Sequence, residues 1–262
     1  MIKKERINLI KYVAFLLSIS TLLFSCKEDN RNKKGIYKTD FPEDKQVMFS
    51  EYIIKNGDSI LDGNYTVYNY ERKKIRSGRY KNGKAIGAVI YYYDNGNIES
   101  IDHRNNDKFI DATFNYKNGK IERYIFYDDF GNTSFIIRFD EQSNITSYDG
   151  YPIFEIYQYK IANKEKFKTK INQHLKVGDT LKQEYLIANI PNTNRSFQVR
   201  NLDVDNAKVK RIFKKTSHLG YEVKEVLTQK GINKMQAIVR YEFRDKQKTI
   251  ITDTLSFKVT VN

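Results

Sequence analysis

The sequence predicts an all-β protein in two parts, an antiparallel β-meander over residues 48–150 and a β-sandwich over residues 151–262. Three observations lead to this prediction. The first part repeats a turn signal roughly every 11–13 residues. The second part lacks that signal but alternates apolar and polar residues, as half-buried strands do. Twenty Tyr and sixteen Phe supply the large amphipathic side chains that a sheet open on both faces needs.

Residues 1–25 read as a secretory leader. A basic segment precedes an apolar stretch over residues 13–24, which has the length of a signal-peptide centre and falls short of a membrane span. The next residues, Leu23-Phe24-Ser25-Cys26, resemble the lipobox of bacterial lipoproteins. This resemblance implies that Cys26 becomes the mature N-terminus, with a diacylglycerol on its sulfur and an acyl chain such as palmitate on its amine. A plain signal peptide and an N-terminal anchor remain open alternatives.

Residues 26–47 are polar and charged, so we expect them to form a tether between lipid and fold. Lys27-Glu28-Asp29 resembles the export signal of some surface lipoproteins, and a plain solvated tether explains it equally well. The leader and this segment together predict an outer-membrane lipid anchor, on the periplasmic side or at the cell surface.

The chain is basic, with a formal net charge of +14. This charge favours contact with an anionic envelope surface, although the basic residues are scattered and a lysine-rich proteome would explain them too. We expect no nucleic-acid partner. Acylation of Cys26, the single cysteine, leaves no thiol for a disulfide, so stability must come from packing.

The meander is predicted from repeated turns. The sequence YKNGK at residues 80–84 recurs as YDNGN at residues 93–97 and as YKNGK at residues 116–120. Asn-Gly between alternating apolar runs is a strong hairpin signal, and we expect type I′ turns at Gly83, Gly96 and Gly119. Turn signals near residues 72, 83, 96, 106, 119, 131 and 143 predict one strand per interval and a two-strand repeat of about 23–24 residues.

The repeat resembles a known family. Gly-Asn-Tyr at residues 63–65, Gly-Arg-Tyr at residues 78–80 and the run from Gly87 to Tyr93 are similar to the bacterial variant of the MORN repeat. The pattern departs at residues 129–131, where a turn lengthens, and at residues 133–149, which lack the glycines. The family includes antitoxin-like proteins and surface lipoproteins. The resemblance implies a scaffold and transfers no catalytic residue.

Seven strands are expected after residue 151, which favours an immunoglobulin-like or similar sandwich. We also expect this part to fold without the meander. The strands are predicted at Ile153–Tyr159, Leu181–Ile190, Ser196–Val204, Ala207–Phe213, Tyr221–Leu227, Met235–Phe243 and Thr249–Val261.

The sequence predicts no catalytic constellation, no cofactor and no metal site. His103, His174 and His218 lie far apart and lack partners at ligand spacing, so each is expected to be a surface or turn residue. Asp-Asn clusters at residues 94–97 and 203–206 lack the calcium-binding loop pattern, and turn formation explains both.

We therefore predict the function from the repeat scaffold and from the aromatic side chains of the sheet. We expect a non-catalytic, membrane-anchored surface lipoprotein that binds a protein or glycan partner. An immunity or antitoxin-like interaction protein and an envelope enzyme remain alternatives. Exposed rings on a sheet can stack on sugars or on a protein, though they can also simply cover the sheet. The candidate partner-binding residues are Tyr80, Tyr91, Tyr92, Tyr93 and Tyr116.

Overall fold

The computed structural model describes residues 34–128, 130–157 and 175–262, and it confirms the all-β prediction. The first ten strands form one antiparallel sheet in sequence order, which is the predicted meander. These strands are β1 (Lys34–Phe41), β2 (Gln46–Lys55), β3 (Asp58–Asn69), β4 (Lys74–Lys81), β5 (Lys84–Tyr92), β6 (Ile98–Asn105), β7 (Lys108–Asn115), β8 (Ile121–Tyr127), β9 (Thr133–Phe139) and β10 (Ile145–Gly150).

The sheet begins earlier than the sequence indicated. Residues 34–47 were expected to belong to the polar tether, but they contain β1, a turn and the start of β2. Their polarity is explained by position, because β1 is the free edge of the sheet and most of its side chains are exposed. Edge strands often carry charged residues, which discourage pairing with other chains.

The two ends of the meander use different turns. At one end, Asn82 and Gly83 both have positive φ (48° and 77°), as the predicted type I′ turn requires. At the other end the loops from β3 onward have three residues, and the Gly131 loop at the first end has this pattern too. Gly96 N donates to Tyr93 O (2.8 Å), Tyr93 N donates to Asn97 O (2.9 Å), and within this loop only Gly96 is left-handed. This pattern is a type I turn closed by a left-handed residue.

The type I′ prediction is therefore confirmed at Gly83 and wrong at Gly96 and Gly119. The Gly119 loop repeats the hydrogen bonds of the Gly96 loop one repeat later. Arg72 and Ser143 hold the same left-handed position in the flanking repeats, with φ of 64° and 74°. The predicted repeat length is thus correct, and glycine is favoured but not obligatory at this turn.

The last seven strands form the predicted sandwich. Their two sheets have the orders β11-β12-β15-β14 and β13-β16-β17. Four and three strands in these orders reproduce the A-B-E-D and C-F-G sheets of an immunoglobulin-like domain. The strands are β11 (Ile153–Tyr157), β12 (Thr180–Ile187), β13 (Thr193–Asn201), β14 (Arg211–Lys215), β15 (Gly220–Val226), β16 (Gly231–Phe243) and β17 (Ile250–Val261).

Two of the predicted strands begin several residues earlier than expected, at Thr193 and at Gly231, and one begins several residues later. Ala207 lies in a short 3-10 helix, Asn206–Lys208, and β14 begins only at Arg211. The Asp205 side chain accepts a hydrogen bond from Ala207 N, which caps this helix and stops the strand from starting earlier. The turn expected at residues 203–206 is thus present, with a capping role for its aspartate.

The core does not divide at residue 150. A small cluster around Val67 and Val89 lies in the early meander, whereas the large cluster continues from β8 and β9 into the sandwich. Phe126 of β8, for example, stacks on Phe154 of β11, with ring centroids 5.3 Å apart. The boundary at residue 150 stays a prediction, but we expect residues 151–262 to be less stable alone than in the whole chain.

In the part of the chain that the structure describes, no helix is both long and apolar enough to cross a membrane. Cys26, on which the lipid anchor was predicted, and His174 lie outside the described residues.

Candidate functional site

The five predicted tyrosines divide into two groups. Tyr80 and Tyr91 pack against the small meander core, where Tyr80 lies on Tyr65 with ring centroids 4.7 Å apart. The Arg76 guanidinium lies 5.9 Å from the ring centroids of both Tyr65 and Tyr91. These two rings stabilise the sheet. Tyr92, Tyr93 and Tyr116 lie where strands meet turns.

The turn tyrosines link successive repeats. Tyr93 OH donates to Asn115 O (2.5 Å), and Tyr116 OH donates to Phe139 O (2.8 Å). Each bond thus runs from one three-residue loop to the strand before the next such loop. Both rings are partly buried, so any partner would contact their remaining ring surface rather than their hydroxyl groups.

Two of these tyrosines line a cavity of about 380 Å³, here called the tyrosine pocket. Its walls are Tyr92, Tyr93, Asp94, Asn95, Glu99 and Lys117. The pocket combines two aromatic rings with two carboxylates, an amide and an ammonium group. Such a mixture of apolar faces and hydrogen-bonding groups suits a small polar ligand with an apolar face.

Tyr92 is held in place within the pocket wall. Its hydroxyl lies 3.2 Å from Ser77 Oγ, and Lys74 Nζ lies 4.3 Å from its ring centroid. Burial raises the pKa of Tyr92, but hydrogen bonds with Lys74 and Ser77 outweigh that effect and lower the pKa below its ordinary value. The fixed ring offers a preorganised surface to a ligand.

A larger groove of about 530 Å³ lies where the end of the meander meets the sandwich. Phe130 and Tyr151 form exposed parts of its wall, with 66% and 72% of their surface accessible. The polar groups are largely engaged, since Asp128 accepts three hydrogen bonds from its own turn and Glu155 accepts one from Gln183. This groove is more apolar than the tyrosine pocket and offers fewer free polar groups.

A third cluster joins the two parts of the protein. Asp111 on β7 lies between His103 on β6 and His218 in the loop before β15. His103 Nδ1 lies 2.5 Å from Asp111 Oδ1, and His218 Nε2 lies 3.0 Å from Asp111 Oδ2. The two imidazole rings are 4.6 Å apart, at 40° to each other. We call these three residues the His-Asp-His cluster.

Asp111 is buried and firmly held. Tyr124 OH donates to Asp111 Oδ2 (3.1 Å) and accepts from Asn189 N (2.9 Å). Burial favours a higher pKa for Asp111, but its hydrogen bonds with His103 and His218 prevail and lower the pKa. The hydrogen bond with Asp111 raises the pKa of His103. The carboxylate thus stays charged at neutral pH and is compensated by three donors.

His103, expected to be a surface or turn residue, instead lies half-buried on β6, whereas His218 lies exposed in the turn before β15 as expected; both histidines nevertheless contact Asp111. One of the two histidine–aspartate contacts could be predicted from the sequence. The predicted turn near residue 106 places His103 opposite Asp111, and these residues are paired in the β6–β7 register. No comparable signal exists for His218. It lies 107 residues from Asp111, and only the docking of the sandwich brings it there.

Comparisons with known proteins show no family for this chain. No protein-family description matches the sequence, and no curated protein matches it either. The crystal structure of TarM is similar to part of the chain, with 13% identity and a TM-score of 0.27. The match covers 37% of this chain and 19% of the TarM chain.

Proposed function

We propose that this protein is a non-catalytic, membrane-anchored surface lipoprotein that binds a glycan in the tyrosine pocket. One observation carries the proposal, namely that the pocket places ring surface of Tyr92 and Tyr93 beside the charged groups of Asp94, Glu99 and Lys117. A sugar ring has an apolar C–H face, which packs on an aromatic ring, and hydroxyl groups, which hydrogen-bond to carboxylates and amines. Both chemistries are available in this one pocket.

The scaffold supports this function by holding the pocket rigid. The pocket lies where the β5–β6 loop meets the β7–β8 loop, and two bonds to Lys117 O join these loops. Asn97 Nδ2 donates to Lys117 O at 2.8 Å and Asn95 Nδ2 at 3.4 Å. A ligand therefore meets a formed site, which lowers the entropic cost of binding.

The anchor would hold this sheet close to the membrane. Because β1 begins at Lys34, only residues 27–33 separate the acylated Cys26 from the fold. Fully extended, seven residues reach at most about 25 Å. The basic surface of the protein would face acidic headgroups over this short distance, and the predicted outer-membrane location is consistent with that arrangement.

The test is a glycan array probed with the full chain carrying Cys26→Ala, followed by affinity measurement on the bound class. We expect Glu99→Gln to weaken binding about tenfold, the size expected for loss of a charged hydrogen bond. Glu122→Gln is the matched control, because Glu122 occupies the corresponding position one repeat later and does not line the pocket. Tyr93→Phe keeps the ring and should bind nearly normally.

Two outcomes would contradict the proposal. One is the absence of any glycan that the full chain binds. The other is binding that Glu99→Gln and Lys117→Ala leave unchanged while both variants fold, as judged by circular dichroism. Binding of a protein partner that Glu99→Gln weakens would keep the pocket and change the class of its ligand.

A further inference from the structure

We propose that His103, Asp111 and His218 form a binding site for a divalent transition metal ion, for which Zn²⁺ is the probe. In the described ranges, this is the group of histidine and carboxylate side chains whose ligand atoms come together, all within 4.8 Å of one another. Two imidazole nitrogens and one carboxylate oxygen are a common ligand set for zinc. They are a poor set for calcium or magnesium, which prefer oxygen.

The spacing of the ligand atoms fits an ion after small movements. Zinc bonds of 2.0–2.2 Å in tetrahedral geometry put neighbouring ligand atoms about 3.3 Å apart. His103 Nδ1 lies 2.5 Å from Asp111 Oδ1, and His218 Nε2 lies 3.0 Å from the other carboxylate oxygen, Oδ2. Because all the ligand atoms lie within 4.8 Å of one another, side-chain shifts of up to about 1.5 Å would place them around an ion. Each imidazole would then keep its proton on its other ring nitrogen, away from the ion.

The carboxylate has the supporting contacts that metal ligands usually have. Asp111 is only 3% exposed, and the hydroxyl of Tyr124 fixes one of its oxygens. Tyr124 is itself fixed by the backbone N–H of Asn189 in the sandwich. Such outer contacts orient a ligand and commonly change metal affinity 10- to 100-fold.

The histidines leave one side of the cluster accessible. The side chains of His103 and His218 are 33% and 40% exposed, so an ion can reach the cluster from solvent. Three protein ligands leave a fourth zinc position for water or another small ligand. The site would therefore be open on its solvent side and rigid on its Asp111 side.

The position of the cluster gives the ion a structural consequence. His103 and Asp111 belong to the meander, whereas His218 belongs to the sandwich. An ion bound by all three would cross-link two segments that are 107 residues apart in sequence. Because a ligand that binds only the folded state stabilises it, the metal should raise the melting temperature of the whole chain.

The experiment is a Zn²⁺ titration of the full chain, with Cys26→Ser to remove the thiol as a competing ligand. We expect one ion per chain by isothermal titration calorimetry. At a hundred times Kd, zinc should raise Tm by roughly 5–10 °C, and EDTA should reverse the shift. His218→Ala should weaken zinc binding at least about tenfold. His174→Ala is the matched control for general histidine binding.

The alternative is that the three residues only hydrogen-bond to one another and bind no metal. The same experiment distinguishes this alternative from a metal site. In that case His218→Ala would lower Tm equally with and without zinc, and the titration would show no binding that depends on His218. This result would overturn the proposal, as would equal losses in His218→Ala and His174→Ala. A visible absorption band of tetrahedral Co²⁺, lost in His218→Ala, would support it. None of these readouts depends on glycan binding.

Discussion

Replacement of Gly119 by alanine tests the left-handed backbone conformation at the three-residue turns. Gly119 has a φ of 84°, and a Cβ atom built on it meets no atom within 4 Å. The cost of Gly119→Ala is therefore conformational rather than steric. The left-handed region costs an L-residue roughly 1–2 kcal/mol. Alanine recovers about 0.4–1 kcal/mol of this by restricting the unfolded chain.

We therefore expect Gly119→Ala to lower the free energy of unfolding by about 1 kcal/mol, which is a fall in Tm of about 2–4 °C. Ser143→Ala is the matched control. Ser143 holds the same left-handed position one repeat later and already carries a Cβ atom, so the change should stay within about 0.5 kcal/mol.

Gly150→Ala should be the most destabilising of the three substitutions. Its φ is 86°, and an added Cβ would lie 2.1 Å from the backbone oxygen of Ser134. This contact adds a backbone clash to the conformational cost, so the loss should clearly exceed that of Gly119→Ala.

Thermal unfolding followed by circular dichroism measures all three variants. The expected order of destabilisation is Ser143→Ala, then Gly119→Ala, then Gly150→Ala. A Gly119→Ala protein as stable as the parent, or a Ser143→Ala protein equally destabilised, would refute the reasoning from φ.

Three further predictions concern other parts of the chain. Cys26→Ala should abolish incorporation of a palmitate analogue, and label retained on this variant would exclude Cys26 as the lipid site. Tyr116→Phe should lower the midpoint of chemical denaturation, because the Phe139 carbonyl loses the donor of its hydrogen bond. Arg211→Ala should cost about 3–5 kcal/mol in the same assay, because Glu225 is 2% exposed and would keep a buried charge without its partner. A loss below 1 kcal/mol would show that the pair is not buried in solution.

The predictions from sequence succeeded where a local cause decides the structure. Turn positions were predictable because Asn and Gly tolerate positive φ, and strand faces were predictable because side chains alternate with period two. The type of turn at Gly96 was not, since the two-residue and three-residue hairpins share the same Asn-Gly signal. The early start at Lys34 was missed because an exposed edge strand needs no apolar face.

The candidate sites, too, were partly predictable from the sequence and partly decided by the tertiary structure. The sequence by itself determined that Tyr92 and Tyr93 lie at a strand end beside a turn, and it placed Cys26 directly after an apolar stretch. Only the tertiary structure decided that Lys117 would close the tyrosine pocket, that one core would cross residue 150, and that His218 would reach Asp111. The Lys117 contact depends on how the twist of one sheet brings two of its loops together, and the other two depend on how the sheets pack against one another. Packing is set by the shapes of whole faces, which no short stretch of sequence encodes.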